Sequence, residues 1–193
     1  MRYIIFLSIL FFSFNVQGQN AYFVDKKGKK TIMRDDAVDF YLIDQRLSYK
    51  QVGKTWEKYI KFSDLDYAKW DGLYFKVLKI GKSKRDRGLF LHAETKTHKL
   101  FTVAVSQSST SSTGFTRSTM WYRVLIVDAK YNVIEDMEFK SFKGDKEERE
   151  KVGPLIRKYF SDCDTLIQNL NSTGEDEDKI QDFLSSPAYI NCQ

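Results

Sequence analysis

The chain has 193 residues, a net charge of +5 and 42% hydrophobic residues, enough to bury one sizeable core. Its 31 basic and 26 acidic side chains are spread along the whole length, without the concentrated excess that a nucleic-acid binder carries. With 11 Tyr, 15 Phe and 3 Trp against 2 Pro, it is not a disordered or low-complexity chain.

In chain order, Met1 to Gly18 comes first and reads as a secretory signal peptide. Arg2 supplies the positive start, Ile4 to Phe14 are almost wholly apolar, and Val16-Gln17-Gly18 offers small residues for cleavage. That apolar run is well short of the roughly 20 residues a membrane-spanning helix needs. The first Cys is Cys163, so no lipoprotein cysteine follows the leader. The expected mature chain, residues 19–193, begins at Gln19 and carries +4 once Arg2 is lost. It is expected in the periplasm or outside the cell, with no transmembrane segment and no nucleic-acid partner.

From Ala21 to about Lys140 the period is closer to two than to 3.6, which predicts a β-rich part over 19–143. Ala21–Val24 and Thr31–Arg34 flank Asp25-Lys-Lys-Gly28-Lys, a hairpin. Phe40 to Gln51 holds one or two strands, followed by Lys58–Phe62 and Asp66–Lys69. Asp71-Gly72 then precedes Leu73–Ile80; both turn residues tolerate positive φ, as a two-residue hairpin requires. Gly81 to Gly88 reads as a polar turn, Leu89–Ala93 as a strand and Glu94–Thr97 as a turn. Leu100–Ser106 is a strand and Ser106 to Gly114 a Ser/Thr loop. Arg117–Val127 and Val133–Phe139 complete the series. None of the intervals suits a parallel βαβ unit, so the expectation is an antiparallel meander of about eight strands.

Residues 144–193 read as helical. Val152, Leu155, Ile156, Tyr159 and Phe160 fall on one helical face, with Pro154 predicting a kink or a restart. Ser161-x-x-Asp164 has the form of a capping box, opening a second helix with Leu166, Ile167 and Leu170 inward. Glu175-Asp-Glu-Asp178 sets acids at the start of a third, whose stripe is Ile180, Phe183 and Leu184. Pro187 ends it. Cys163 and Cys192, the only cysteines, predict one disulfide in an exported domain. If the last two helices are antiparallel neighbours, Cys163 and Cys192 lie at adjoining ends.

Ile60-Lys-Phe-Ser-Asp-Leu-Asp66, Trp70-Asp-Gly72, Ser161-Asp-Cys163-Asp-Thr-Leu166 and the final Cys192 resemble small exported proteins of unknown function common in Bacteroidetes-type bacteria. The resemblance spans most of the chain after the leader. It implies no activity and no catalytic residues.

The chemistry-bearing residues are few. His92 and His98 would face each other across a three-residue turn and, with Glu94, offer three zinc-type ligands. One residue of slip dissolves that set, and solvated strand positions are the simpler reading. Ser106 to Ser112 lacks a Gly-x-Ser-x-Gly frame, so no nucleophile is assigned. No cofactor fingerprint occurs. Lys82, Lys84, Arg85 and Arg87 form one basic turn and Lys26, Lys27, Lys29 and Lys30 another. Both read first as solvated tips and second as contacts to an anionic surface. The aromatic strands fit either an open half-buried sheet or a curved barrel holding an apolar ligand.

The resulting expectation is an α+β domain: an antiparallel sheet, then two or three helices tied by a disulfide. Its expected role is an exported, non-enzymatic interaction or structural protein of the envelope. The alternative is a carrier for a small apolar ligand.

Overall fold

A computed structural model describes residues 21–81, 85–141, 145–173 and 177–192. The leader Met1–Gly18 and the basic pair Lys82 and Lys84 lie outside the described residues. Among those described, eleven strands form one sheet, against the eight expected. In chain order they are β1 (Tyr22–Asp25), β2 (Lys30–Tyr41), β3 (Arg46–Gln51), β4 (Glu57–Lys61), β5 (Leu65–Trp70) and β6 (Leu73–Ile80). There follow β7 (Arg85–Glu94), β8 (His98–Thr110), β9 (Thr116–Asp128) and β10 (Val133–Lys140). Three helices come next, α1 (Lys146–Phe160), α2 (Asp164–Thr173) and α3 (Glu177–Ser185), then the short β11 (Ile190–Asn191).

The strand order, β10-β9-β8-β7-β6-β5-β1-β2-β3-β4, is an open path rather than a closed ring. Neighbours are antiparallel, with one departure from the all-antiparallel expectation: β11 pairs in parallel with Ala93 and Glu94 of β7. The region expected to be purely helical therefore returns to the sheet. β1 joins two groups of strands, pairing β2 on one side and β5 on the other. The Asp71-Gly72 turn is as expected, with Trp70 opposite Leu73 and φ values of 47° and 75°.

Three apolar clusters follow from the two-residue period of the strands. Leu100, Tyr122, Val124, Ile126 and Phe139 face the helices and meet Val152, Ile156, Phe160, Leu166, Leu170, Phe183 and Leu184. Leu89, Leu91, Phe101, Leu125 and Val127 point the other way and form a second cluster with Tyr74, Tyr131 and Tyr189 at its margin. The third lies under the first strands. After an irregularity between Met33 and Val38, β2 carries Phe40 onto Phe75 and Phe90, at 4.4 and 5.3 Å between ring centres. Phe23, Leu47, Phe62 and Leu65 complete that core.

Several local expectations are corrected. The polar turn is shorter than Gly81 to Gly88, because β7 begins at Arg85 and Gly88 pairs with Val77. A Cβ on Gly88 would lie 2.1 Å from Cζ of Phe75, so here glycine admits aromatic rings to the backbone rather than turning the chain. The Ser/Thr loop is instead a two-stranded ribbon, in which Ser106–Thr110 pair with Met120–Thr116. Hydroxyl contacts between Ser106 and Ser118 and between Thr110 and Thr116 link its strands, and Phe115 is 79% exposed at its tip. Hydroxyl residues support a ladder as readily as a loop, since the backbone carries the pairing.

α1 runs through Pro154 without restarting. Pro154 and Glu150 are both exposed, so water can serve the carbonyl that proline leaves without a donor. Ser161 does not cap α2; its Oγ bonds Oδ1 of Asp162, and Cys163 opens the helix by accepting from the Ile167 amide. The disulfide joins Cys163 to Cys192 as expected. No described helix is long and apolar enough to cross a membrane.

Candidate functional site

β7 and β8 leave their turn as a paired hairpin: Glu94 opposite Lys99, Ala93 opposite Leu100, Leu91 opposite Phe101 and Phe90 opposite Thr102. Their pairing ends there. Arg85–Leu89 continue to pair with β6, while Val103–Thr110 pair with β9. The two strands part like the arms of a V.

Beyond the shared cluster of Leu89, Leu91 and Phe101, the two strands also contact different cores. Gly88 lets Phe75 and Phe62 press on β7, binding its first half to the aromatic core beneath β2–β4. β8 and β9 are held by the helices, through Leu100, Val124 and Ile126 against Val152 and Ile156. Leu89 and Phe101 still share one cluster, and a cleft of about 310 Å³ is lined by both arms.

Leu89, Val103, Val105 and Trp121 give the cleft apolar walls. Leu42 and Ile43, from the turn between β2 and β3, form a further side with Phe62. Its charged residues differ in availability. Arg123 donates to Asp136 at 2.8 and 2.7 Å and to Glu138 at 3.2 Å. The Asp136 hydrogen bonds, outweighing burial, push this guanidinium further above its usual range. Arg87 is exposed and forms no salt bridge among the described residues. The cleft therefore offers apolar area, two strand edges and a cation without a carboxylate, an arrangement suited to holding something extended.

The proposed metal set does not assemble. A bulge between Leu91 and Ala93 removes His92 from the register that would place it opposite His98. His92 is 2% exposed and lies against the Phe183 ring at 4.3 Å, with its buried Nδ1 unpartnered. Burial pushes its pKa down to about 4, so it is neutral at physiological pH. His98 packs on Tyr159 at 5.2 Å, and its Nδ1 bonds Thr97 Oγ1 at 2.8 Å. Glu94 is occupied by Lys99 and by the Tyr189 hydroxyl. Burial raises the Glu94 pKa, but those two hydrogen bonds outweigh it and hold the carboxyl below its ordinary value. Among the described residues there is no cluster of three or more potential metal ligands.

Of the anionic-contact set, Arg85 sits opposite Ile80 and Arg87 opposite Leu78 on β7, both exposed. The second basic turn is partly neutralised, since Lys26 bonds Asp86 at 2.8 Å. Sequence reasoning missed Val103 and Val105 as site residues. Their only signal was apolar alternation, which also describes an ordinary strand. No protein-family model, curated protein or solved structure matches this chain.

Proposed function

We propose that this is an exported, non-enzymatic interaction protein that receives an extended segment of a partner protein between β7 and β8. The observation that carries the reading is the end of pairing at Phe90 and Thr102, which leaves two strand edges inside one concave apolar site. Rows of unpaired N–H and C=O groups are a template for a further strand. Main-chain bonds supply the affinity and pockets for alternate side chains the specificity. Val103 and Val105 suit apolar side chains of the incoming segment, and Arg87 suits an acidic one.

Export rests on the leader-like Met1–Gly18 and the resemblance to small exported proteins. It is supported by a disulfide of the kind that persists in oxidising compartments. The alternative, a carrier for a small apolar ligand, would use the same cleft. A volume of about 310 Å³ is at the small end for such a site, and an open sheet does not enclose the ligand.

The test is selection of short peptides from a random displayed library against the oxidised protein, followed by amide exchange with a synthetic winner. The expected result is protection of amides in both Arg85–Leu89 and Val103–Gln107, lost in a Val105→Arg variant. Peptides that protect neither edge refute strand addition. Retention of fatty acids with no peptide selected would replace it with the carrier.

A further inference from the structure

A second concave site lies on the other side of the β5–β6 hairpin end, independent of the cleft. It is a groove of about 480 Å³, lined by Tyr22, Lys30, Lys69, Tyr74 and Tyr189 together with the hairpin end 70–73, which includes the carboxylate of Asp71. β1 creates it by sitting between β2 and β5. Lys69 stands directly opposite Tyr22 on β5, and Lys30 stands opposite Val24 on β2, so both lysines flank one tyrosine.

These two lysines differ from their neighbours. Lys76 and Lys99 are mostly buried and bonded to Asp66 and Glu94. Lys30 and Lys69 are exposed and have no carboxylate within salt-bridge distance among the described residues. Each lies near an aromatic ring instead, Lys30 at 3.8 Å from the Tyr22 centre and Lys69 at 5.3 Å from Tyr74. The Trp70 ring lies on the opposite face of β5, packed near Phe40 at 6.1 Å and donating Nε1 to the Asp35 carbonyl at 2.8 Å, so tyrosines supply the aromatic surface here. The Tyr74 and Tyr189 phenols add no negative charge. Burial, chiefly, pushes Tyr189 up to about 12 and Tyr74 well above the usual phenol range. The groove thus combines tyrosine surface with two exposed ammonium groups that have no carboxylate within salt-bridge distance among the described residues.

We propose that this groove binds an acidic oligosaccharide, with sugar carboxylates held by Lys30 and Lys69 and a sugar ring laid against the tyrosines. Flat aromatic surface matches the apolar face of a sugar ring, while ammonium groups supply charge-assisted bonds to its carboxylates. The shape argues against a lipid headgroup surface, because a bilayer cannot follow a concave groove. Two lysines are too few for a nucleic-acid strand carrying a charge at every nucleotide.

The experiment is calorimetric titration of the oxidised protein with oligogalacturonate, alongside neutral dextran oligomers, single-stranded DNA and anionic phosphatidylglycerol vesicles. Oligogalacturonate is expected to bind, and Lys30→Gln/Lys69→Gln to weaken it by about tenfold or more. The Val105→Arg variant, altered in the cleft, is expected to bind it unchanged, which separates this result from the fate of the peptide reading. No binding of oligogalacturonate, equal binding of dextran, or affinity that survives the double substitution overturns the proposal. So does tighter binding of DNA or vesicles.

Discussion

Acidification should weaken this protein through one buried ring. His92 sits under Phe183, 2% exposed, and its pKa is about 4 in the fold against an ordinary 6.5. The imidazole is neutral in the native state and gains a proton more readily when unfolded. Its contribution is therefore fully present above pH 6.5, falls as pH drops towards 4, and changes no further below that. A shift of that size corresponds to about 3 kcal/mol, a large share of the total stability of a domain. The assay is urea unfolding at a series of pH values from neutral to about pH 4, on the natural chain and on His92→Leu. Carboxylates titrate in both proteins, so the difference between the two curves isolates the histidine. The natural chain should lose roughly 2–3 kcal/mol more than the variant over that range. Parallel curves, or an imidazole that titrates near 6.5 by NMR, would show that the ring is not held neutral by burial.

Two further outcomes are expected. Replacing both Cys163 and Cys192 by Ser should lower stability by about 3–4 kcal/mol, from the loop of 29 residues that the bond closes. In amide exchange the loss should be visible first at Cys192, which bonds the Glu94 carbonyl at 2.9 Å; unchanged protection there would argue against a clamp. Gly88→Ala should destabilise by roughly 1–3 kcal/mol, because its methyl would meet Phe75 at 2.1 Å and Phe62 at 2.7 Å in a filled core. A neutral thermal shift would mean those rings move aside freely.

What could be read in advance was whatever local chemistry decides. Asp71-Gly72 announces its turn because two adjacent positive φ values need such residues. The apolar stripes of the helices and the pairing of two lone cysteines were equally legible. The cleft was not, because nothing in Val103 or Val105 marks Thr102 as the last residue paired to β7. Beside that boundary Phe62 and Phe75 lie against Gly88 of β7, a long-range contact that local pattern does not announce. The histidine pair failed for a related reason, since one bulge at His92 overrides any register counted from the turn. Lys30 and Lys69 stand 39 positions apart in the chain, and only the insertion of β1 between β2 and β5 makes them neighbours.

The position of the disulfide also bears on the order in which the molecule is completed. Synthesis runs from the N-terminus, so the ten described antiparallel strands have been made before Cys163 exists, and Cys192 follows all three helices. Most of those strands pair with a sequence neighbour, contacts that form without waiting for distant chain. Two sulfurs allow a single intramolecular pairing, so there is no wrong partner to undo. Oxidation then acts as a closing stitch on an assembled sheet, and it demands an electron acceptor but no isomerase.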